Sequence, residues 1–203
     1  ILGEVISNAG LRQLRIAETQ KFRHVTSFFN GKSTKPFPRE DQVEVKSEFD
    51  PSSFANHPEM NAKDVTDELR RRLDHGYDFI AVNYANCDMV GHTGEYEAAK
   101  RGAELVDKYA GIVAREAMEK GYTVIVTADH GNSEEMIDEK GEVKTSHTTN
   151  PVKLHLFSKD QVFSFKTDKA ILSDIAPLIL KLMGLEIPES MTSKSLQADL
   201  QII

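Results

Sequence analysis

Two nearly continuous apolar runs, Asp78–Tyr84 (DFIAVNY) and Tyr122–Thr127 (YTVIVT), constrain this chain most. Between them lies a long helical pattern, about Glu95–Lys120, with Ala99, Ala103, Val106, Tyr109, Ala110 and Val113 on one stripe and Gly121 as its stop. Strands that are apolar throughout must be covered on both faces, and strands joined by helices run parallel. The pattern therefore predicts an α/β fold, a mostly parallel sheet flanked by helices. With 203 residues, 39% of them hydrophobic, there is core material for one domain and too little for two.

The other elements follow from local signals. Leu2–Ala9 reads as a short helix ending at Gly10, and Phe22–Phe29 (FRHVTSFF), rich in aromatic and β-branched residues, as a strand ending at the Asn30-Gly31 turn. Pro36, Pro38, Pro51 and Pro58 mark a long loop carrying one short strand, Gln42–Lys46. Asn61 stands where it can cap a helix with Val65, Leu69 and Leu73 on one face and Gly76 at its end. Val152–Phe157 is expected as a third strand of the sheet, and Leu172–Met183 as a closing helix before Gly184.

Composition excludes several classes. Lys and Arg number 25 against 32 Asp and Glu, a net charge of −7 with no basic block, so binding to a nucleic-acid backbone is not expected. No apolar run approaches the roughly 18–20 residues of a membrane span, so no membrane role is expected. Ile1–Asn8 lacks the charged start and cleavage site of a signal peptide. The single cysteine, Cys87, permits no internal disulfide and points to a reducing, cytoplasmic setting. A first residue other than Met suggests a piece of something longer.

Ligands of open parallel sheets bind beyond the carboxyl ends of the strands. The residues there are Asn83–His92 (NYANCDMVGH) after one apolar run and Ala128–Asn132 (ADHGN) after the next, with Ser146–Pro151 (SHTTNP) just before the third strand. Asp88 and His92, at i and i+4, share one face of a helical turn and can grip a cation. Asp129, His130 and His147 add two imidazoles and a carboxylate. Such a set suits Mn, Zn, Fe or Co, is too rich in nitrogen for calcium, and exceeds one tetrahedral site, so two metals are the natural reading. The bland alternatives are a capping Asp beside a core imidazole and a plain strand-to-loop turn at Gly131-Asn132.

Taken together, NYANCDMVGHTG (Asn83–Gly94), TADHGN (Thr127–Asn132) and SHTTNP resemble cofactor-independent phosphoglycerate mutase, of the alkaline phosphatase superfamily. The same resemblance extends to LRQLRIAETQKFRHVTSFFNG (Leu11–Gly31), to LSDIAPLILKLMGL (Leu172–Leu185) and to MTSKSL (Met191–Leu196), in the same order along the chain. It implies that Asp88, His92 and His147 hold a first Mn²⁺ and that Asp129 and His130 hold part of a second, with Zn, Co or Fe as other candidates. It also implies that Lys21 contacts the transferring phosphoryl group. His24, His57, His75 and His155 match no family ligand and are expected as surface or core imidazoles, and Glu18 and Asn30 receive no chemical role.

The resemblance further implies that residues 1–203 are the C-terminal segment of a phosphatase domain. The N-terminal segment, with the nucleophilic serine and a further metal-binding aspartate, and an inserted transferase domain with substrate-gripping arginines are absent. Neither Ser133 nor Ser146 stands in for the nucleophile. The implied function is part of a cytoplasmic glycolytic isomerase that interconverts 3-phosphoglycerate and 2-phosphoglycerate through a phosphoserine, the fragment itself being inactive and its partner the missing N-terminal part of the same protein. The competing readings are a non-catalytic metal-binding remnant and another superfamily enzyme, such as a phosphopentomutase-like or phosphonoacetate hydrolase-like one.

Overall fold

The computed structural model describes residues 1–165, 169–193, 196 and the backbone of 201–202; Lys194 and Ser195 of the MTSKSL string lie outside the described residues. The sheet is organised around β1 (Gln13–Glu18), which pairs in parallel with β2 (Glu40–Val45) on one side and β3 (Phe79–Asn83) on the other, Gln13 facing both Glu40 and Phe79 in register. All six residues of β1 are buried, including Gln13, Arg15 and Glu18. This central strand has no counterpart among the elements expected from the sequence, because its alternating charges disguise it.

Each buried polar side chain on β1 has some compensating contact, although Arg15 Nε and Nη1 and Glu18 Oε1 make no hydrogen bond. The Gln13 amide donates to the carbonyl of Gly3, in α1 (Leu2–Asn8). Arg15 lies against the rings of Phe29 and Phe79, whose centroids are 4.5 and 4.8 Å from its guanidinium carbon. Burial lowers the Arg15 pKa to about 10, opposed by the charge of Glu40. Gly3 permits this arrangement: a Cβ there would come within 3.0 Å of Arg15 Nη2. Glu18 accepts from Ser47 Oγ at 3.1 Å, and burial raises its carboxyl pKa against the hydrogen bonds from Ser47 and the Asn61 backbone.

On the other side of β1, Leu14 and Ile16 pack with Val65 and Leu69 of α3 (Ala62–Arg72), with Leu73 and Tyr77, and with Val113 and Ala117 of α5 (Tyr96–Glu119). The i, i+4, i+8 face of α3 is thus the core face the spacing predicts, each side chain contributing roughly 1.5–3 kcal/mol by burial. Asn61 occupies the cap position but makes no side-chain capping bond; its Oδ1 accepts from Glu48 N instead. The buried line of α5 runs through Ala98, Ala99, Gly102, Val113 and Ala117, and Ala103 is exposed.

Three expectations are corrected. Phe22–Phe29 is not a strand: α2 (Thr19–Val25) covers its start and turns carry the chain to Asn30. Lys21 and Val25, one helical turn apart, are the buried residues of α2, so a helical face is anchored where the composition favours a strand. The third predicted strand is β5 (Leu154–Phe157), but it pairs antiparallel to β4 (Val124–Thr127), with Val124 opposite Phe157. Finally, the apolar runs are not covered on both faces by this chain. β3 is half-buried throughout, and no ladder joins it to β4 among the described residues, although Val82 and Val124 pack on the same core cluster.

The remaining elements close the domain: α4 (Asn86–Gly91) between β3 and α5, a short antiparallel pair of β6 (Phe163–Ser164) with β7 (Gln201–Ile202), and α6 (Ile175–Leu182). Leu180 of α6 packs with Leu2 and Ile6 of α1. No helix among the described residues is long and apolar enough to cross a membrane.

Candidate metal centre

The carboxyl ends of three strands deliver the polar residues. Lys21 follows β1 on α2, Asp88 and His92 follow β3 on and just beyond α4, and Asp129 and His130 follow β4. His147 comes from the segment before β5, fixed beside the β4 loop by a bridge between Gly131 and Thr148, whose N–H donates to the Gly131 carbonyl at 3.0 Å.

Asp88 Oδ1, His92 Nε2 and His147 Nε2 converge, each pair 3.0 Å apart. Ligand bonds of roughly 2.1 Å at right angles give edges of about 3.0 Å, so this triangle fits one face of a divalent-metal site. Two imidazole nitrogens and a carboxylate oxygen this close repel unless a proton or cation lies among them. His92 Nδ1 lies 2.6 Å from the carbonyl of Thr145, which places the ring proton on Nδ1 and leaves the Nε2 lone pair turned to the cluster.

The second pair is looser. His130 Nε2 lies 3.9 Å from Asp88 Oδ1 and 3.7 Å from Asp129 Oδ1. Its ring stacks on His147 with centroids 3.6 Å apart, and the Asp129 side chain is 59% exposed. The two residues sit beside the triangle with their solvent side open.

Lys21 is buried and its ammonium pairs with Asp88 Oδ2, so one carboxylate oxygen faces the lysine and the other the imidazoles. Burial alone would raise the Asp88 carboxyl; Lys21, Asn132 and His92 outweigh it and hold it at about 2, below its ordinary 3.8. A carboxyl depressed on folding contributes stability above its unfolded pKa, and that contribution is lost as pH falls through the folded value. Lys21→Met should therefore destabilise the EDTA-treated protein at pH 7 by roughly 2 kcal/mol, the gap from wild type closing as pH falls from about 4 towards 2. Urea unfolding across that range measures it, and equal stability at pH 7 would refute the pairing.

Three groups near the cluster carried no functional signal in the sequence. His24, expected as a surface or core imidazole, lies three residues beyond Lys21 on α2. Its pKa is lowered first by burial and then by Lys21, while Asp129 and Asp88 oppose the fall, and its Nδ1 is buried without a partner. Asn132 and Glu134 contact the cluster segments directly. A lone histidine or asparagine in a sequence is too common to single out. His57, stacked on Phe49, and His75, near Tyr77, make their contacts elsewhere. His155 lies beside Phe157.

These features define an α/β domain with a cluster of side chains, Asp88, His92 and His147, that could hold a metal ion beyond the carboxyl ends of its strands. The chain belongs to the Metalloenzyme superfamily, whose family model matches residues 1–187. It is similar to proteins named 2,3-bisphosphoglycerate-independent phosphoglycerate mutase: 48% identical over 198 residues to one from Methanosarcina barkeri, covering 97% of this chain and 37% of that protein. Another, from Clostridium botulinum, is 49% identical over 197 residues, 96% of this chain and 38% of the relative. A solved structure of Leishmania mexicana phosphoglycerate mutase, determined at low cobalt concentration, superimposes with a TM-score of 0.89 at 31% identity, over 99% of this chain and 39% of its own. The chain thus spans under two fifths of the length of the relatives it matches.

Proposed function

We propose that this chain is the C-terminal segment of the phosphatase domain of a metal-dependent phosphoglycerate mutase. The whole protein would interconvert 3-phosphoglycerate and 2-phosphoglycerate in the cytoplasm, as a glycolytic isomerase that passes the phosphate through a serine outside these 203 residues. The observation that carries this reading is the triangle of Asp88, His92 and His147 with the Lys21 ammonium on the same carboxylate. A non-catalytic remnant would have no reason to hold Asp88 and His92 each by a partner outside the triangle, Asn132 and Lys21 for the first and the Thr145 carbonyl for the second.

Asp88, His92 and His147 would hold the first Mn²⁺, and Asp129 and His130 part of the second, completed by a group from outside the chain. Zn, Co and Fe suit the same donors. When bound, the metals neutralise charge on the phosphoryl oxygens and lower the pKa of the serine hydroxyl. Lys21 is placed to hold a phosphoryl oxygen by charge and hydrogen bond, and Asp88 keeps that ammonium aimed at the centre when no substrate is present. Water has to be kept from the phosphoserine, a task left to the rest of the protein, because His92, Asp129 and His147 stand exposed here.

A coupled 3-phosphoglycerate assay with intact-mass determination tests the reading. The complete polypeptide should be active with Mn²⁺ and silenced by EDTA, while the 22.7 kDa chain alone should be inactive. Activity from the 22.7 kDa chain, or an inactive complete polypeptide under Mn²⁺, Co²⁺ and Zn²⁺ alike, would overturn it.

A further inference from the structure

We infer that Asn132 is a positioning residue for the metal ligand Asp88, and that Glu134 links the same device to the His147 segment; the inference rests on the metal reading above. Asn132 is 4% exposed, and its Nδ2 donates to Asp88 Oδ1 at 3.1 Å and to the Asp88 carbonyl at 3.3 Å, across 44 residues of sequence. The orientation of this amide follows from chemistry, since the flipped form would set its oxygen against two oxygens. Its own Oδ1 is then buried with no partner. That is costly for a buried amide, and an apolar side chain would fill the space without it. What the amide supplies in return is its N–H₂ at Asp88.

The backbone around Asn132 is shaped to bring it there. A Cβ on Gly91 would come within 2.5 Å of Asn132 Oδ1 and 2.8 Å of Ser133 Oγ, so only glycine lets the β4 loop lie on α4. The Ser133 hydroxyl donates to the Cys87 carbonyl. From Asn132 the connection continues through its own N–H to Glu134 Oε2 at 2.6 Å. Glu134 Oε1 accepts from the Thr148 hydroxyl and from Asn150 Nδ2 at 3.1 Å, residues that follow His147 on the same segment. One chain of hydrogen bonds therefore runs from the Asp88 carboxylate to the segment bearing His147, and neither Asn132 nor Glu134 need touch the metal. Ligand-orienting partners of this kind set the geometry and basicity of the ligands they hold.

The test compares Asn132→Ala, Asn132→Leu and Ser133→Ala in the complete polypeptide. It reads Mn²⁺ affinity by calorimetry, the visible spectrum of the Co²⁺ form, and the thermal midpoint in EDTA. Both Asn132 variants should bind Mn²⁺ roughly 10–100-fold more weakly and shift the Co²⁺ bands, with midpoints within a few degrees of wild type. Ser133→Ala, which removes one hydrogen bond between the loop and α4 and leaves the Asn132 amide on Asp88, should change affinity and spectrum much less than either Asn132 variant. Glu134→Ala should weaken Mn²⁺ binding in the same sense as the Asn132 variants. Asn132 variants that bind like wild type would overturn the inference while leaving the metal reading intact. Equal losses in Ser133→Ala would also overturn it, by making loop attachment the cause. A wild-type protein that binds no divalent cation would remove the metal reading and this inference with it.

Discussion

Asp88→Asn is expected to lower the proposed mutase activity of the complete protein by about 10³-fold, the equivalent of roughly 4 kcal/mol of electrostatic stabilisation. The substitution keeps the shape of the side chain and removes one charge. That charge is used from every side: by Lys21 at Oδ2, by Asn132 at Oδ1, and by the two imidazoles that meet Oδ1 at 3.0 Å. The affinity for the first metal should fall with the activity. Stability should fall too, by about 3 kcal/mol, because the buried Lys21 ammonium loses its counter-ion. Adding Lys21→Met to Asp88→Asn should recover most of that stability and none of the activity. Steady-state rates, calorimetric titration with Mn²⁺ and melts in EDTA read the three effects separately. An Asp88→Asn enzyme within tenfold of wild type would refute the assignment.

The second large effect concerns the open side of the sheet. Among the described residues β3 has a ladder partner only in β1, and β4 only in β5, although both strands pack with α5 on one core cluster. The edge of β3 away from β1 and the edge of β4 away from β5 have no ladder partner among the described residues, and Val82, Tyr84 and Val124 are only partly buried. Such edges recruit strands. The 203-residue chain produced alone should therefore associate or aggregate. Within the complete polypeptide, the amides of Phe79–Asn83 that point away from β1 should be protected from hydrogen exchange. Light scattering behind size exclusion measures the first, and exchange mass spectrometry the second. A monodisperse 22.7 kDa monomer with those amides already protected would show that the sheet needs nothing further.

Much of the fold was legible because it followed simple periods. Val65, Leu69 and Leu73 announce α3, and the apolar runs announce β3 and β4. The cluster was legible because Asp88 and His92 sit one helical turn apart, and because the other candidates, Asp129, His130 and His147, fall in the segments that adjoin β4 and β5. β1 escaped for a physical reason. Its buried polar residues are made tolerable by groups distant in sequence, Phe29 and Phe79 for Arg15, Gly3 for Gln13 and Ser47 for Glu18, and none of these pairings is visible along the chain. The helix at Thr19–Val25 was hidden likewise, its aromatic and β-branched composition overruled by burial of Lys21 and Val25. The direction of β5 depends on the partner it meets, and a run of apolar residues does not encode that.

The ligand triangle also bears on the order in which the molecule assembles. His147 meets Asp88 across 59 residues, and His92 reaches the Thr145 carbonyl across 53. Closing loops of that length costs entropy before any contact repays it, so these meetings come late. Helices such as α3 and α5 are local and can form within microseconds. A metal added to the refolding chain should therefore find no coordination site while helical signal is already present, and its capture marks the end of folding instead of guiding it. Metal uptake at the proposed site would in that sense be a clock that starts only once the loops joining Asp88, His92 and His147 have closed.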